Sequence, residues 1–397
     1  MNKYTFLRIY RFLSTFFLVL LFIPGRKERR IIFMSSFKGD FTSNSKYLFE
    51  DVIKSNIDYQ CRFVICDDVE RARLNESYGN YFISNKSIAD KIYCLRSSVW
   101  VCSYFDLPVQ GLGLAINRKV LHLGHGIPVK ASGLLEKNVS ILKRVYYFLN
   151  KSNFTYHFAP TQKVAVILSK MFGCSESKFV IASQPRADRI CASNKSHNGH
   201  SKNRPSKNRP SKNRPSKQRK VLYAPTWRYN EKAKFLNFPD LNIEKLDVFL
   251  KENNIVLYYR PHPLFLPDDL NFLSDNIKLS TPEVEPEIND FLHTYDALIS
   301  DYSSIIIDFL LLNRPIAIYD YDYDSYKEQN GFCYDFDKFC PGVRIKNQSD
   351  FICFLNLLEI DDSMTSKQNR ISEEFNGTEF NSTEIFIEKI LGFDSND

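Results

Sequence analysis

Asp301-Tyr-Ser-Ser-Ile-Ile-Ile-Asp308, followed by Asn313-Arg-Pro-Ile-Ala-Ile-Tyr319, has the pattern of a strand end, a two-serine turn, a helix and a second strand. Strands that alternate with helices are typical of βαβ units and parallel sheets. Ser303 and Ser304 fall at the predicted start of the helix, where free backbone N–H groups and the helix dipole favour an anion. The segment therefore predicts an α/β fold with a phosphate site.

Three further segments place unusual polar residues at predicted strand ends. They are His125-Gly-Ile-Pro-Val-Lys130, Tyr223-Ala-Pro-Thr-Trp-Arg228 and Arg260-Pro-His-Pro263. Together they concentrate histidine, arginine and hydroxyl groups, as the chemistry of phosphoryl groups requires. Because ligands of open parallel sheets bind at the carboxyl ends of the strands, we expect all four segments to share one site.

Alternating strands and helices extend over both halves of the chain. The predicted strands are Ile31–Ser35, Cys61–Cys66, Val99–Ser103, Val120–Leu123, Tyr156–Pro160, Phe179–Ser183, Val221–Ala224, Ile255–Tyr259, Ile277–Ser280, Ala297–Ser300 and Ile316–Tyr319. The predicted helices are Ser45–Ser55, Leu134–Asn150, Glu287–Tyr295 and Ser304–Leu312. A chain of 397 residues suits two such domains rather than one small core.

The two halves are separated by a segment without apolar residues to bury. Ser-Lys-Asn-Arg-Pro occurs three times in succession, at 201–205, 206–210 and 211–215, within an interval (192–219) that we predict to be an exposed, disordered linker. Two interpretations of the repeat stay open: contact with anionic lipid or an acidic polymer, and, at least as well supported, a tandem expansion in a loop that tolerates insertion. The predicted divisions are a segment at 1–29, a Rossmann-like domain at 30–190, a basic linker at 191–220 and a second Rossmann-like domain at 221–397. This organisation indicates a GT-B-like architecture, in which two domains face a central cleft.

Charge and cysteine usage exclude several classes of protein. The net charge is +7, but residues 195–220 carry ten Lys or Arg and residues 1–30 carry seven, so the rest of the chain is acidic. An acidic body does not indicate a nucleic-acid groove. Nine cysteines without a Cys-x-x-Cys pair argue against a disulfide framework or a zinc site and favour a reducing compartment.

The N-terminal segment predicts an association with a membrane surface. Between Arg11 and Arg26 lie 14 uncharged, mostly apolar residues, fewer than the ~20 that a spanning helix needs. The basic cluster that follows suits anionic headgroups, so we predict an apolar helix that lies in the membrane interface. The alternative is a buried helix of the first domain.

These segments together resemble the CDP-glycerol glycerophosphotransferase family, which builds teichoic acid. The resemblance rests on six motifs in the family's order over roughly residues 30–360, and the start of the first domain, Phe33–Tyr47, fits as well. The first five motifs are His125–Lys130, Pro185–Asp188, Tyr223–Arg228, Arg260–Pro263 and Ser300–Phe309, and the sixth consists of Arg314–Asp322 together with Gly331–Gly342. Two positions depart from the family pattern, since its usual tryptophan is Gly124 here and its threonine is Ile127.

The resemblance implies transfer of glycerol phosphate, or a related polyol phosphate, from CDP-glycerol or CDP-ribitol to an acceptor hydroxyl, with release of CMP. The acceptor would be a lipid-linked or capsular polymer, and the enzyme would act peripherally at the cytoplasmic face of a bacterial membrane, without cofactor or metal. The first domain would bind the acceptor and the second the CDP-polyol. The implied site comprises His125 and His262 as catalytic residues, and Lys130, Arg186, Thr226, Arg228, Arg260, Asp301, Ser303 and Ser304 as substrate contacts.

The residue types support these roles and leave alternatives open. His125 is the candidate base because an imidazole titrates near neutrality and the adjacent glycine allows close approach. His122 is interpreted as packing. Arg260 suits phosphate oxygens, and the lesser alternative is an ion pair with an acid such as Asp301. Arg228 suits a phosphate or acceptor contact, with a salt bridge in the cleft as the alternative. The alternating acids of residues 319–324 are interpreted as a cleft rim or an acceptor surface.

Two other functions compete with this one. A GT-B glycosyltransferase that uses a nucleotide sugar would need much the same phosphate site. A non-catalytic protein of envelope assembly is the third hypothesis, and the presence of both motif histidines and the serine pair argues against it.

Overall fold

The computed structural model describes residues 15–22, 25–199, 218–226, 228, 235–261, 270–358 and 362–393. His262, the three Ser-Lys-Asn-Arg-Pro repeats and the first 14 residues lie outside this described part. The chain divides into two units. Unit 1 comprises Met1–Ile127, Ser132–Asp188 and Gly377–Asp397, and unit 2 comprises Pro128–Ala131 and Arg189–Asn376.

Unit 1 is built on a seven-stranded sheet in the order β3-β2-β1-β4-β5-β6-β7, and every pairing in it is parallel. The strands are β1 (Glu28–Met34), β2 (Gln60–Val64), β3 (Phe82–Ile83), β4 (Ser97–Cys102), β5 (Lys119–His122), β6 (Tyr156–Ala159) and β7 (Phe179–Ile181). Apolar side chains from both faces of the sheet are buried, as expected for a parallel sheet covered by helices. The polar site residues must therefore lie beyond the strand ends.

Unit 2 carries a six-stranded parallel sheet in the order β10-β9-β8-β11-β12-β13. The strands are β8 (Arg219–Tyr223), β9 (Ile255–Tyr259), β10 (Ile277–Leu279), β11 (Ala297–Ser300), β12 (Ile316–Ile318) and β13 (Val343–Arg344). Both sheets contain the doubly wound 3-2-1-4-5-6 order, whose ligand crevice lies where the strand order reverses. That point falls after β1 and β4 in unit 1, and after β8 and β11 in unit 2.

Helices connect the strands in both units. The α-helices are α1 (15–22), α2 (Ser43–Val52), α3 (Asp68–Tyr78), α4 (Ile88–Leu95), α5 (Ile141–Asn150), α6 (Gln162–Phe172), α7 (Pro185–Gly199), α8 (Ile243–Glu252), α9 (Ile305–Leu310), α10 (Tyr323–Gln329), α11 (Phe336–Phe339), α12 (Gln348–Leu357), α13 (Asp362–Asn376) and α14 (Ser382–Ile385). Short 3₁₀ turns lie at Gly133–Leu135, Lys151–Asn153, Glu176–Lys178, Ile288–Asp290 and Leu292–Thr294, and a π-helix follows α14 at Phe386–Leu391.

The prediction of an α/β fold with parallel sheets is confirmed, and each predicted strand corresponds to an observed one. Two helix predictions were wrong in extent or type. The helix predicted from Leu134 begins only at Ile141, because the Ser140 side chain caps it by accepting from Lys143 N. The helix predicted over Glu287–Tyr295 is a pair of 3₁₀ turns.

The structure differs from the predicted domain ranges at three places. Pro128–Ala131, inside the predicted first domain, belongs to unit 2. α7 continues to Gly199, well into the interval for which we predicted a disordered linker, whose His200–Lys217 portion lies outside the described residues. The C-terminal residues from Gly377 onward belong to unit 1 rather than to the second domain.

The described part of the N-terminal segment forms α1, which packs one face on unit 1. Thr15 Oγ1 donates to the Gln110 carbonyl, and the buried Val19 touches Gly111. Phe17 and Leu21 on the other side are 77% and 74% exposed. Within the described ranges, no helix is both long and apolar enough to cross a bilayer. The predicted interfacial anchor therefore stays a prediction. The contacts of Thr15 and Val19 agree with the alternative, a helix packed on the first domain.

Candidate active site

In unit 2 the ends of β8 and β11 are joined by the Asp301 carboxylate. Thr226 N donates to Asp301 Oδ1 at 2.8 Å, and Tyr302 N donates to the same oxygen at 2.6 Å. The Asp301 side chain is only 3% exposed, so these two backbone donors compensate part of the cost of burying its charge. Two of the four segments singled out in the sequence thus meet at the switch point of the sheet.

Arg228 lies between two carboxylates. Its Nη2 is 2.9 Å from Asp301 Oδ2, and a bidentate pair joins it to Asp322, with Nε to Oδ2 at 2.6 Å and Nη2 to Oδ1 at 2.9 Å. Burial alone lowers the pKa of Arg228, but Asp301 and Asp322 outweigh it, so the pKa is raised. The guanidinium also lies over the rings of Tyr302 and Tyr326. Arg228 therefore forms the ion pair that was the alternative to a phosphate contact, with Asp301 and Asp322 as its partners.

Lys130 reaches this cluster from a short segment that belongs to unit 2. The segment pairs with the stretch after α10: Ala131 N donates to Gly331 O at 3.0 Å, and Cys333 N donates to Val129 O at 2.9 Å. Lys130 is an exposed residue overall. Protein atoms around its ammonium group nevertheless lower its pKa, which Asp301 opposes and Arg228 reinforces. Its charge is therefore tied to the same cluster.

Ser303 and Ser304 follow Asp301 directly and are half-buried. Ser304 is the N-cap of α9, and the Ile307 N–H donates to its carbonyl at 3.0 Å. α9 has only six residues, so its dipole is small.

Arg260, at the end of β9, is engaged with the loop after β10. Its Nη1 donates to Ser280 Oγ at 3.0 Å and its Nη2 to the Glu285 carbonyl at 3.0 Å, with Glu285 Oε2 3.8 Å from Nη1. The Tyr295 hydroxyl donates to both Glu285 carboxylate oxygens, at 2.8 and 2.7 Å. Burial lowers the pKa of Arg260, and Glu285 opposes the shift. The acid that pairs with Arg260 is thus Glu285 and not Asp301.

In unit 1 the candidate base His125 is presented on a sharp loop after β5. Gly124 and Gly126 on either side have φ of +73° and +147°, which non-glycine residues rarely adopt. His125 is exposed, and its ring stacks on Tyr104 with centroids 4.0 Å apart and planes 12° from parallel. The loop therefore projects an imidazole from the edge of the sheet.

Two buried side chains hold this loop from behind. Arg186, predicted as a substrate contact, is 5% exposed, and its Nη1 donates to the His125 carbonyl at 2.8 Å. Asn44 Nδ2 donates to the Gly124 carbonyl at 2.8 Å, and Asn44 Oδ1 accepts from Arg186 N at 3.0 Å. Arg186 is therefore placed to support the backbone at His125.

His122 lies inside the core of unit 1, in accord with its interpretation as packing. Its Nδ1 is 3.3 Å from Nδ1 of His157, and Phe105 and Phe154 surround it. Burial first, and His157 second, keep the pKa of His122 well below its usual value, so the ring is neutral. Across the described ranges, no group of three or more His, Cys, Asp or Glu is arranged to hold a metal ion.

The structure brings together Thr226, Arg228, Asp301 and Lys130 in unit 2, and His125 and Arg186 in unit 1. Several residues that contact them were not predicted as site residues: Asn44, Tyr104, Glu285, Tyr302, Asp322 and Tyr326. A signal existed for Asp322 in the run of alternating tyrosine and aspartate after β12, and for Asn44 in the Asn-Ser-Lys-Tyr helix start.

Comparison with known proteins gives these sites a context. Residues 15–384 match the family described as CDP-Glycerol:Poly(glycerophosphate) glycerophosphotransferase. The chain belongs to this family. The teichoic acid glycerol-phosphate transferase of Staphylococcus aureus is 25% identical over 84% of this chain and 85% of its own length. The teichoic acid poly(ribitol-phosphate) polymerase of Bacillus spizizenii is also 25% identical, over 83% of this chain, but the chain spans only 51% of that polymerase.

Solved structures show the same fold. The wall teichoic acid polymerase TagF aligns with a TM-score of 0.71 at 19% identity, covering 98% of this chain and 97% of the TagF chain. At that identity the likeness establishes the fold of this family member and leaves its substrates to be argued from the site.

Proposed function

We propose that this protein transfers glycerol phosphate, or a related polyol phosphate, from CDP-glycerol or CDP-ribitol to a hydroxyl of a lipid-linked or polymeric acceptor in the synthesis of teichoic acid or a teichoic-like capsule. The observation that carries the proposal is the family match over residues 15–384. Relatives of this chain include a glycerol-phosphate transferase and a ribitol-phosphate polymerase, so the polyol is left open.

The proposed reaction is one displacement at phosphorus. The acceptor oxygen attacks the phosphorus that bears the polyol, and the bond from this phosphorus to the oxygen bridging to CMP breaks. CMP leaves with the bridging oxygen and its electron pair, and a phosphodiester forms. His125 takes the proton of the attacking hydroxyl, since a hydroxyl is a poor nucleophile until a base removes its proton. The exposed position of His125 on its glycine loop supports this role.

The charge that develops on the leaving phosphate needs cations and hydrogen-bond donors. Lys130, Ser303 and Ser304 are proposed to supply them directly. His262 keeps its proposed role beside the phosphates, although it lies outside the described residues. Arg228 and Arg260, each engaged by carboxylates, are proposed to contribute by fixing the Asp301 region and the loop at Ser280–Glu285.

The proposal includes a peripheral position at the cytoplasmic face of a bacterial membrane. Five apolar residues of α5 line one side of the helix and are exposed: Ile141 (79%), Leu142 (69%), Val145 (46%), Phe148 (68%) and Leu149 (39%). The basic residues Lys143 and Arg144 are on the same helix. α1 lies near α5, because both contact Gly111. Val19 of α1 packs on Gly111, and Asn153, just after α5, donates to the Gly111 carbonyl. An apolar helix face with basic residues suits anionic lipid headgroups.

Vesicle sedimentation tests the membrane part. Full-length protein is expected to sediment with phosphatidylglycerol vesicles, and the double variant Leu142→Ser/Phe148→Ser is expected to stay in the supernatant. Val248→Ser on α8, which removes a 54% exposed valine in unit 2, is the control and should bind like wild type. Equal binding of the α5 variant and wild type would remove α5 from the membrane surface.

Donor turnover tests the transfer itself. Purified protein is given CDP-glycerol or CDP-ribitol, with and without a lipid-linked acceptor, and CMP is quantified chromatographically. Acceptor-dependent CMP release from one donor is expected, and His125→Ala should abolish it while Lys130→Ala weakens it. A folded protein that releases no CMP from either donor in the presence of a valid acceptor would contradict the proposal.

A further inference from the structure

We propose that Tyr104 is a positioning residue for His125, and that its phenol ring holds the imidazole plane in the orientation in which the base meets the acceptor hydroxyl. This inference rests on the proposed function of His125. It goes further by assigning a role to a residue outside the motifs of the family resemblance. The observation behind it is the parallel stack, with ring centroids 4.0 Å apart and planes 12° from parallel.

The topology of unit 1 places the two rings together. β4 and β5 are parallel neighbours, with Cys102 opposite His122, and Leu123 N donates to the Cys102 carbonyl at 2.8 Å. Tyr104 and His125 therefore leave the same edge of the sheet side by side. Their contact follows from strand register and needs no rearrangement of the loop.

The backbone on both sides of Tyr104 is held in place by buried neighbours. The preceding residue, Ser103, is fully buried, and its Oγ accepts from Ser45 N at 2.8 Å and contacts Ser45 Oγ at 2.6 Å. The following residue, Phe105, packs into the core, 4.8 Å from the His122 ring. Tyr104 is thus fixed on both sides, so it can act as a rigid platform.

The histidine backbone is equally constrained. The carbonyls of Gly124 and His125 accept hydrogen bonds from Asn44 and Arg186. These bonds fix where the side chain starts but leave rotation about its two side-chain torsions free. A general base must place one ring nitrogen within hydrogen-bond reach of the proton that it abstracts. A flat ring parallel to the imidazole restricts these rotations, because offset-stacked rings attract and tilted orientations would collide.

The stack uses the ring face of Tyr104 and not its hydroxyl. Tyr104→Phe should therefore preserve positioning, whereas Tyr104→Leu should abolish it while keeping an apolar side chain. Tyr78→Leu on α3 is the matched control, because Tyr78 is a partly exposed tyrosine whose ring packs on Phe41 and Phe82. A role in stability alone would affect both leucine variants similarly and would leave the histidine signal unchanged.

The test combines a spectroscopic signature with kinetics on the full-length protein. In protein with ¹³C-labelled histidine, the Cε1–H resonance of His125, assigned with His125→Gln, should be shifted upfield by the tyrosine ring. Tyr104→Leu should remove this shift, and Tyr104→Phe should retain it. For CMP release, Tyr104→Leu should lower kcat roughly 10- to 100-fold with KM for the CDP-polyol near the wild-type value, as expected for a misplaced catalytic group. Tyr104→Phe and Tyr78→Leu should both behave like wild type.

Three results would overturn the inference. They are an unchanged His125 resonance in Tyr104→Leu, an unchanged kcat in that variant, or equal damage in Tyr104→Phe. Failure of the proposed function is distinguishable, because wild-type protein would then release no CMP from either donor. The role as a positioning residue would fall with it, whatever the resonance shows.

Discussion

Replacing Arg228 with methionine should destabilise unit 2 far more than an ordinary surface substitution. The guanidinium is shared by two carboxylates, and the side chains of Arg228, Asp301 and Asp322 are 12%, 3% and 15% exposed. Removing one partner of a buried ion network leaves uncompensated charge and typically costs about 3–5 kcal/mol. Asp301 would keep two backbone donors, while Asp322 would keep the Tyr302 hydroxyl at 3.1 Å. The larger share of the cost should therefore come from Asp322.

Scanning calorimetry of the full-length protein measures this cost. For a unit of this size, about 3–5 kcal/mol corresponds to a fall in Tm of roughly 6–20 °C. Arg344→Met is the matched control: Arg344 also pairs with two acids, Asp320 and Asp337, but is 37% exposed, so its loss should cost about 0–1 kcal/mol. Arg228→Lys should lie between the two, because lysine keeps the charge and lacks the bidentate fork.

A double variant distinguishes two causes of a lower Tm, the unpaired charge left in the ion network and the lost packing of the arginine side chain. Arg228→Met/Asp322→Leu replaces the bidentate pair by apolar groups and should recover part of the lost Tm, because exchanging a buried pair for apolar residues is often neutral or stabilising. Equal losses of Tm in Arg228→Met and Arg344→Met would show that the buried ion network contributes no more stability than the exposed one. A double variant that is less stable than Arg228→Met would show that unpaired charge is not the main cause of the lower Tm.

Three further predictions concern unit 1. Asn44→Asp cannot donate to the Gly124 carbonyl, so kcat for CMP release should fall roughly 10- to 100-fold with little change in KM for the donor. Burial raises the pKa of Asp188, so the folded protein holds this proton more tightly. The resulting stability is fully present below the unfolded pKa, about 3.9, and is lost as pH rises through the higher folded pKa. Tm of wild type should decline across that window relative to Asp188→Asn, which does not titrate. His122→Phe should retain CMP release, because the buried ring is neutral packing, whereas His125→Ala should lose it.

Each of the three predictions on unit 1 has an outcome that would contradict it. Wild-type turnover in Asn44→Asp would show that the Gly124 carbonyl needs no donor. A constant Tm difference between wild type and Asp188→Asn from pH 3 to pH 7 would mean that Asp188 takes up no proton on folding. Loss of CMP release in a folded His122→Phe variant would move that histidine into the catalytic machinery.

The sheets were predictable because their strands are short apolar runs that the parallel architecture buries on both faces. Ile255–Tyr259 and Ala297–Ser300 were predicted with the observed bounds. The helix from Leu134 was overextended because its first residues have apolar periodicity, which does not reveal that the chain makes a 3₁₀ turn and restarts at the Ser140 cap. Apolar patterns in the sequence thus predict which helices and strands form, and capping residues decide where the helices begin.

The partners of the site residues were far less accessible to sequence reasoning. Asp322 lies 94 positions from Arg228, and only the alignment of β8, β11 and β12 brings them together. Glu285 could not be selected as the partner of Arg260 from among the acids of its loop. The stack of Tyr104 on His125 depends on the register of β4 and β5, which a single sequence does not specify.

Phosphorus NMR of the complete reaction is the most direct test of polyol-phosphate transfer from CDP-glycerol. The protein is incubated with CDP-glycerol and a lipid-linked acceptor, and the ³¹P spectrum is followed over time beside a His125→Ala sample. The two pyrophosphate signals of the donor should give way to the phosphomonoester signal of CMP and a new phosphodiester signal, and the His125→Ala sample should show neither. An unchanged donor spectrum with folded wild-type protein, together with release of a nucleoside diphosphate from a nucleotide sugar, would exclude polyol-phosphate transfer and identify a glycosyltransferase.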